Sequence, residues 1–207
     1  MDVVLNLRLS SDIVDGTVSP GALTLTPQFL ADTILRLLSE EERRLPFGIR
    51  GFRECDVQFL LWRALLLQWR ELFLGAYEAS MEEKRADIVI RNERKIMIAT
   101  IELKGPWLAK TFRYPNEFAD LCKTDFEKHF HQLSAGLPGQ RYSLWIFTGE
   151  NEEAIQSVFK KFLGVALTGA PGCSVESASS NVLCLSNPHP RWRKCGVYAV
   201  RVYSDIN

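Results

Sequence analysis

The stretch Lys95 to Lys104, KIMIATIELK, decides the fold. Apolar side chains fill both alternating faces of its first half, which is typical of a strand covered on both sides. One face then turns polar, because Thr100, Glu102 and Lys104 follow two isoleucines at every second position. The pattern predicts a central buried strand with charged side chains at its end, where α/β proteins carry their sites.

Outward from this strand, helical and extended patterns alternate. Thr26 before Pro27 predicts the start of a helix that continues to about Arg44. A second helix, from about 54 to 70, is apolar nearly all round and is predicted to be the central core helix. The other patterns predict strands within 71–80, 86–90 and 95–103, a helix over 116–134, a buried strand over 142–147, a helix over 150–163, a long loop over 164–180 and a last strand over 196–203.

This order of elements predicts one α/β domain over residues 1–207, with a central mixed β-sheet flanked by helices. A composition of 46% hydrophobic and 24% charged residues is typical of a globular domain with a sizeable core. Residues 1–50 form an N-terminal helical extension in this interpretation, residues 54–147 the core, and residues 164–207 a loop and a C-terminal strand.

Composition also restricts the partners. Twenty-five basic residues balance 25 acidic ones, so any binding to nucleic acid must depend on a local patch rather than on net charge. Five widely spread cysteines favour reduced thiols, as in a cytoplasmic protein. The sequence shows neither a secretion leader nor an apolar run of membrane-spanning length, so we expect a soluble cytoplasmic protein with no membrane association.

The hairpin between the strands of Asp87 and Glu102 decides whether these two acids meet. A tight turn centred between positions 94 and 95 places Asp87 directly opposite Glu102, with Cβ atoms about 5 Å apart. A turn centred on Asn92 and the next residue instead places Asp87 opposite Ile98, roughly 13 Å along the strand from the other acid. Asn92 is the better turn former, so both registers stay open.

An aspartate on one strand and Glu-x-Lys on the next, after a helix carrying an acidic residue, resembles the PD-(D/E)XK nuclease superfamily. The match consists of Asp87 with Glu102, Leu103 and Lys104, and Ala86 stands where the motif is named for proline. The order of elements in the core range is similar to that of the family. The resemblance implies a restriction endonuclease-like or junction-resolvase-like core and a metal-dependent endonuclease, a hydrolase of DNA phosphodiester bonds.

The resemblance also implies the roles of the motif residues. Asp87, Glu102 and the Leu103 carbonyl would bind Mg²⁺, for which Mn²⁺ would substitute. Lys104 would orient the attacking water or stabilise the developing negative charge. Duplex or branched DNA is the expected substrate, on resemblance alone.

Other residues extend this site. Glu54, at the start of the core helix, and Glu78, on the first strand, are rival candidates for an additional acid. The following helix carries Asp125, Lys128 and Gln132 on one face, and similar helices in the family contribute to the site or to phosphate binding. The basic side chains expected to contact DNA, besides Lys128, are Arg91, Arg94, Lys95, Lys110, Arg113, Arg191, Arg193 and Lys194.

Two alternatives to an active nuclease remain. One is a member of the fold that has lost the metal and binds nucleic acid or a protein partner. The other is an unrelated scaffold in which the motif is accidental, which a register with Asp87 opposite Ile98 would favour. His129 and His131, two apart on a helix, are expected to be solvent-exposed. The oligomeric state, a homodimer included, stays open.

Overall fold

The computed structural model describes residues 25–46, 48–72, 77–83, 86–105, 115–189 and 192–204. Within these ranges four helices flank a seven-stranded mixed sheet, which confirms the predicted α/β class. The helices are α1 (Pro27–Arg44), α2 (Glu54–Leu72), α3 (Pro115–Ser134) and α4 (Glu152–Leu167), with a 3-10 turn at Gly48–Gly51. The strands are β1 (Tyr77–Glu83), β2 (Ala86–Asn92), β3 (Met97–Lys104), β4 (Gln140–Gly149), β5 (Cys173–Ser179), β6 (Leu183–His189) and β7 (Trp192–Ser204).

The strands follow the order β1-β2-β3-β4-β7, and β5 and β6 both pair along β7. Only β3 and β4 pair in parallel among these strands, and α3 lies between them in the chain. The carboxyl ends of β3 and β4 therefore meet at one edge of the sheet. The start of β2 lies at the same edge because β2 is antiparallel to β3.

The sheet is covered on both faces, as strand β4 shows. Leu144 and Ile146 pack in one apolar cluster with residues of α1 and α2, whereas Trp145 and Phe147 pack in another with residues of α3 and α4. Leu103 of β3 belongs to the first cluster. Because side chains alternate along a strand, the neighbouring positions of β3 face α3.

The predicted start of α1 is confirmed. The Thr26 hydroxyl accepts a hydrogen bond from the Phe29 backbone N–H at 3.1 Å, and Pro27 is the first helical residue. Proline suits this position because the first N–H groups of a helix have no partner within it. Helix α4 starts in the same way, with Asn151 accepting from the Ala154 N–H at 2.8 Å.

The prediction of a long loop over 164–180 is wrong. Helix α4 continues to Leu167, and Cys173–Ser179 form β5, which pairs with the end of β7. The side chains of β5 are exposed or half-buried, so the strand has no apolar pattern to reveal it. Backbone hydrogen bonds to β7 stabilise it instead. Strand β7 is also longer than predicted, since it begins at Trp192.

Helix α2 is less enclosed than its apolar sequence predicts. Leu61 and Leu65 are fully buried, but Phe59 is 46% and Leu67 is 52% exposed. Among the side chains that the structure describes, the side that carries Leu61 and Leu65 is buried, and the helix packs on β1, β2, β3 and α1. No helix in the described ranges is both long enough and apolar enough to cross a bilayer.

Candidate active site

The β2–β3 hairpin brings Asp87 opposite Glu102. Ile88 pairs with Ile101, and the following pairs keep this register, so the next position outward sets Asp87 against Glu102. The alternative register, with Asp87 opposite Ile98, is not adopted. The two acids therefore lie at the same level of the sheet, on neighbouring strands and on the face that α3 covers.

The hairpin loop differs from both predicted turns. The Asn92 N–H donates to the Ile96 carbonyl at 3.0 Å, and the Lys95 N–H donates to the Asn92 carbonyl at 2.9 Å. Lys95 has a φ of 60°, as expected for the last residue of a three-residue hairpin loop. The Asn92 side-chain oxygen accepts from the N–H groups of Arg94 and Ile96, both at 3.0 Å. Asn92 is thus the turn former, but at the start of the loop.

A β-bulge at Ile98 corrects the register that this loop sets. Next to the loop Arg91 pairs with Met97, and continued without interruption this register would set Asp87 opposite Ile101. A shift of one residue turns side chains to the other face of a sheet. Ile98 is the extra residue of β3, and it packs against the α1–α2 cluster instead of sharing the Thr100 face as alternation predicts. The bulge thereby brings the two acids together.

Asp87 also contacts the end of β3 directly. Its Oδ2 accepts a hydrogen bond from the Leu103 backbone N–H at 2.5 Å. The Asp87 backbone carbonyl accepts from Gln58 Nε2, on α2, at 2.7 Å. These contacts hold the start of β2 between β3 and α2.

Of the two rival acids, Glu54 joins Asp87 and Glu78 does not. Glu54 begins α2, accepts a hydrogen bond from the Gly105 N–H, and interacts electrostatically with Lys104 and Asp87. Burial raises its pKa, and the negative charge of Asp87 raises it further, against the attraction of Lys104. Glu78 lies near the hairpin loop, where it forms an exposed salt bridge with Lys95 at 2.6 Å.

Two ion pairs connect β3 to α3. Lys104 Nζ lies 3.2 Å from Asp125 Oδ2, with both side chains largely buried. Lys128 Nζ donates to Glu102 Oε1. Residues two apart on a strand and residues three apart on a helix each share a face, so the four side chains meet as two bridges. We refer to Glu54, Asp87, Glu102 and Asp125 as the acid cluster.

Burial disfavours the ionised form of the carboxyl groups in the acid cluster. It raises the pKa of Glu102 to about 7, and the negative charges of Asp125 and Asp87 add to this effect while Lys128 opposes it. Burial likewise raises the pKa of Asp125, against the attraction of Lys104. Four carboxyl groups face two lysine ammonium groups, so full ionisation would leave an excess of two negative charges.

Lys104 keeps its proton in these surroundings. Burial alone would lower its pKa, but the carboxylates of Asp125, Glu54 and Asp87 outweigh burial, and the net pKa is raised. Its Nζ also donates to the Leu103 carbonyl at 3.4 Å. Lys104 is therefore a fixed positive charge at the end of β3.

The residues expected to contact DNA are spread over a wider area than the acid cluster. Gln132 lies one helical turn beyond Lys128 on α3, whereas Arg91 is four residues along β2 from the cluster, roughly 13 Å away. Arg94 is exposed in the hairpin loop. Arg193 is exposed beside Lys194, which pairs with Gly149 at the same sheet edge as the acid cluster. Three further candidates lie outside the described residues: Lys110, Arg113 and Arg191.

The prediction that His129 is solvent-exposed is wrong, whereas His131 is exposed as predicted. His129 is fully buried, with Nε2 3.0 Å from the Ser143 hydroxyl oxygen. Burial lowers its pKa to about 3, with the charges of Arg141 and Lys128 acting in the same direction. The signal for burial is its spacing of seven residues from Cys122 and three from Phe126, which places all three on one helix face.

The oxygen atoms of the acid cluster are of a type that suits a metal ion, but their arrangement in the structure does not form a metal site. The carboxylate and carbonyl oxygens at the end of β3 are the ligand type that Mg²⁺ takes, and the excess negative charge suits a divalent cation. Within the described ranges, however, no three His, Cys, Asp or Glu side chains are placed to hold a metal ion. Lys128 Nζ contacts Glu102 Oε1, so a cation at this carboxylate would bind the other oxygen or displace the lysine.

Comparisons of the chain with protein-family models, with curated proteins and with solved structures gave no match.

Proposed function

We propose that this protein is a metal-dependent nuclease that hydrolyses phosphodiester bonds in DNA, built on a restriction endonuclease-like core. The observation that supports the proposal most is the convergence of the acid cluster and Lys104 at the carboxyl end of β3. Asp87, Glu102 and Lys104 belong to the motif, and Glu54 comes from the preceding helix as in the similar resolvase-like proteins. An accidental motif gives no reason for these side chains to converge.

Mg²⁺, or Mn²⁺ in its place, is the proposed cofactor. Asp87, Glu102 and the Leu103 carbonyl would hold it, with Glu54 as the additional acid. Bound there, the cation would lower the pKa of a coordinated water and neutralise charge on the scissile phosphate. The oxygen donors and the unbalanced negative charge of the cluster fit this role.

Lys104 stabilises negative charge that develops on the phosphate. Its raised pKa keeps it protonated at neutral pH, so it donates hydrogen bonds and does not serve as a general base. Asp125 positions the ammonium group from the opposite element at 3.2 Å. Of the two roles that the resemblance implies for this lysine, charge stabilisation is the better supported.

Lys128 supplies a second positive charge that can change partner. In the structure it balances Glu102, which is 3% exposed. Once a cation balances Glu102, the Lys128 ammonium group becomes available for a substrate phosphate oxygen.

The test is a cleavage assay on plasmid, branched and single-stranded DNA with Mg²⁺, comparing wild type with Lys104→Ala. We expect Lys104→Ala to slow cleavage by on the order of 10²- to 10³-fold, as for other losses of charge stabilisation. Lys123→Ala is the matched control, because Lys123 is on α3 but forms an exposed pair with Glu127. Equal cleavage by Lys104→Ala and wild type would sink the mechanism.

A second candidate is a nuclease-fold protein that binds nucleic acid or a protein partner without cleaving. The two ion pairs favour it, because Lys104 and Lys128 already balance Asp125 and Glu102 without a metal. Calorimetric titration with Mg²⁺ and Mn²⁺ separates the candidates. Binding that Asp87→Ala abolishes supports the nuclease, whereas no binding, or binding that Asp87→Ala leaves unchanged, supports the inactive protein.

A further inference from the structure

The two ion pairs between β3 and α3 are closed off from solvent to different degrees. In one pair the side chains of Asp125 and Lys104 are 10% and 14% exposed. In the other pair the Glu102 side chain is 4% exposed, whereas the Lys128 side chain is 24% exposed. In this second pair the lysine therefore lies at the surface and the carboxylate lies beneath it.

The helix that carries Lys128 is held firmly against the sheet. Phe126 is fully buried and packs on Trp145 of β4, with ring centroids 5.7 Å apart. His129 is also fully buried, and its Nε2 lies 3.0 Å from the Ser143 hydroxyl oxygen. Because these contacts fix α3, Lys128 can open its ion pair by rotation of its flexible four-carbon stem, without movement of the helix.

Lys128 and a divalent cation compete for one carboxylate. Lys128 Nζ contacts Glu102 Oε1, and a cation on either oxygen of this carboxylate would lie within about 5 Å of the ammonium group. Two positive charges at this separation repel each other strongly where the surroundings are partly buried. The ion pair with Lys128 therefore opposes the binding of a cation at Glu102.

We propose that Lys128 is a gate: its ammonium group keeps the cation-binding part of the acid cluster closed, and a divalent cation binds at Glu102 after the lysine side chain has turned away. The inference rests on the proposed metal-dependent function. It deepens that function because it makes an ion pair within the chain the element that sets the affinity for the cation.

The buried charge of Glu102 is balanced in both states of the gate. A buried carboxylate that loses its partner is strongly destabilising, so opening of the ion pair alone is unfavourable. When a divalent cation takes the place of the Lys128 ammonium group, Glu102 exchanges one positive partner for another. The cation thus supplies the interaction that the lysine gives up, and the gate closes again when the cation leaves.

The experiment measures Mg²⁺ binding to the whole chain by calorimetry, without nucleic acid, so that no cleavage contributes to the result. Lys128→Met keeps an unbranched side chain but removes the charge, and it should bind Mg²⁺ about tenfold more tightly than wild type because a repelling charge is lost. Lys123→Met, at an exposed pair on the same helix, is the control and should bind like wild type. A solution at about pH 9 keeps Glu102 ionised, since its pKa is about 7 and rises when Lys128 is removed.

Two further measurements separate a gate from an ion pair that only stabilises the fold. Without Mg²⁺, Lys128→Met should have a lower thermal midpoint than wild type, because Glu102 stays buried without this partner. Mg²⁺ should then raise the midpoint more in Lys128→Met than in wild type, which loss of a merely structural pair would not produce. In a Glu102→Gln background, Lys128→Met should give no gain in Mg²⁺ affinity, because the carboxylate for which the lysine competes is absent.

The results for the gate and for the nuclease can be told apart. Equal Mg²⁺ affinity of Lys128→Met and wild type overturns the gate, and so does an undiminished gain in the Glu102→Gln background or the absence of Mg²⁺ binding in both proteins. Mg²⁺-dependent cleavage together with equal affinities removes the gate and leaves the nuclease standing. Tighter binding by Lys128→Met without cleavage by wild type supports the gate and contradicts the nuclease.

Discussion

The Asp87 carboxylate accepts a hydrogen bond from the Leu103 backbone N–H at 2.5 Å, which joins the first residues of β2 to the last residues of β3. Its partner strand position is Glu102, the residue before Leu103. Asp87 thus connects the open end of the β2–β3 hairpin and also belongs to the acid cluster. Replacing Asp87 by asparagine separates its structural role from its proposed chemical role, because an amide oxygen also accepts hydrogen bonds.

Asp87→Asn should keep the fold and lose activity. Asparagine preserves the acceptor for the Leu103 N–H but removes the charge that the proposed Mg²⁺ site needs. We expect a thermal midpoint near that of wild type and a cleavage rate lower by on the order of 10²- to 10³-fold. Asp120→Asn, at an exposed position of α3, is the control. Undiminished cleavage by Asp87→Asn would exclude this carboxylate from the chemistry.

Glu54→Gln and Glu78→Gln make a matched pair that tests the additional acid. Glu54 interacts with Lys104 and Asp87, so its replacement should weaken Mg²⁺ binding and slow cleavage at least tenfold, on the scale of other metal-site changes. Glu78→Gln removes only an exposed pair with Lys95 and should leave both quantities unchanged. Calorimetric Mg²⁺ titration and plasmid cleavage measure the two effects. The reverse result would move the additional acid to β1.

Glu102 should make the protein less stable as the pH rises. Its pKa is about 7 in the folded state against 4.5 for an ordinary glutamate. Between these values the folded chain holds a proton that the unfolded chain has released, so the free energy of unfolding falls with rising pH. At about 1.4 kcal/mol per pH unit, the cost is about 3 kcal/mol above pH 7.

Glu102→Gln resembles the protonated side chain and should remove this slope. Denaturant unfolding at several pH values should show the variant more stable than wild type at pH 8 and similar to it near pH 4.5. Glu127→Gln, which changes an exposed glutamate of α3, should follow the wild-type curve. Parallel curves for Glu102→Gln and wild type would contradict the raised pKa.

His129 should contribute the opposite pH dependence. Its pKa is about 3 when folded and 6.5 in the ordinary case, so the unfolded chain takes up the proton first. The stability due to neutral His129 is fully present above pH 6.5 and is lost as the pH falls towards 3. Asparagine does not titrate. The difference in the free energy of unfolding between wild type and His129→Asn should therefore become smaller as the pH falls. His131→Asn, at an exposed site, is the control, and a constant gap for His129→Asn would refute the assignment.

Helix starts and buried strands were predictable because their signals are local. Thr26 with Pro27 marks the start of α1, and the apolar run of β4 marks a strand covered on both faces. Strand β5 gave no such signal. Its Ser and Ala side chains bury little, and its stability comes from backbone pairing with β7, a contact between distant parts of the chain.

The candidate site also combines features that local sequence determines with features that depend on contacts between distant parts of the chain. The sequence by itself determined that Glu102 and Lys104 share one face at the end of β3, since alternation along a strand is a local property. Only the tertiary structure decided that Asp87 faces Glu102, because the register depends on a bulge at Ile98 that local turn chemistry does not specify. It also placed Glu54, and not Glu78, near Asp87 and paired Asp125 with Lys104, because both contacts depend on how α2 and α3 pack against the sheet.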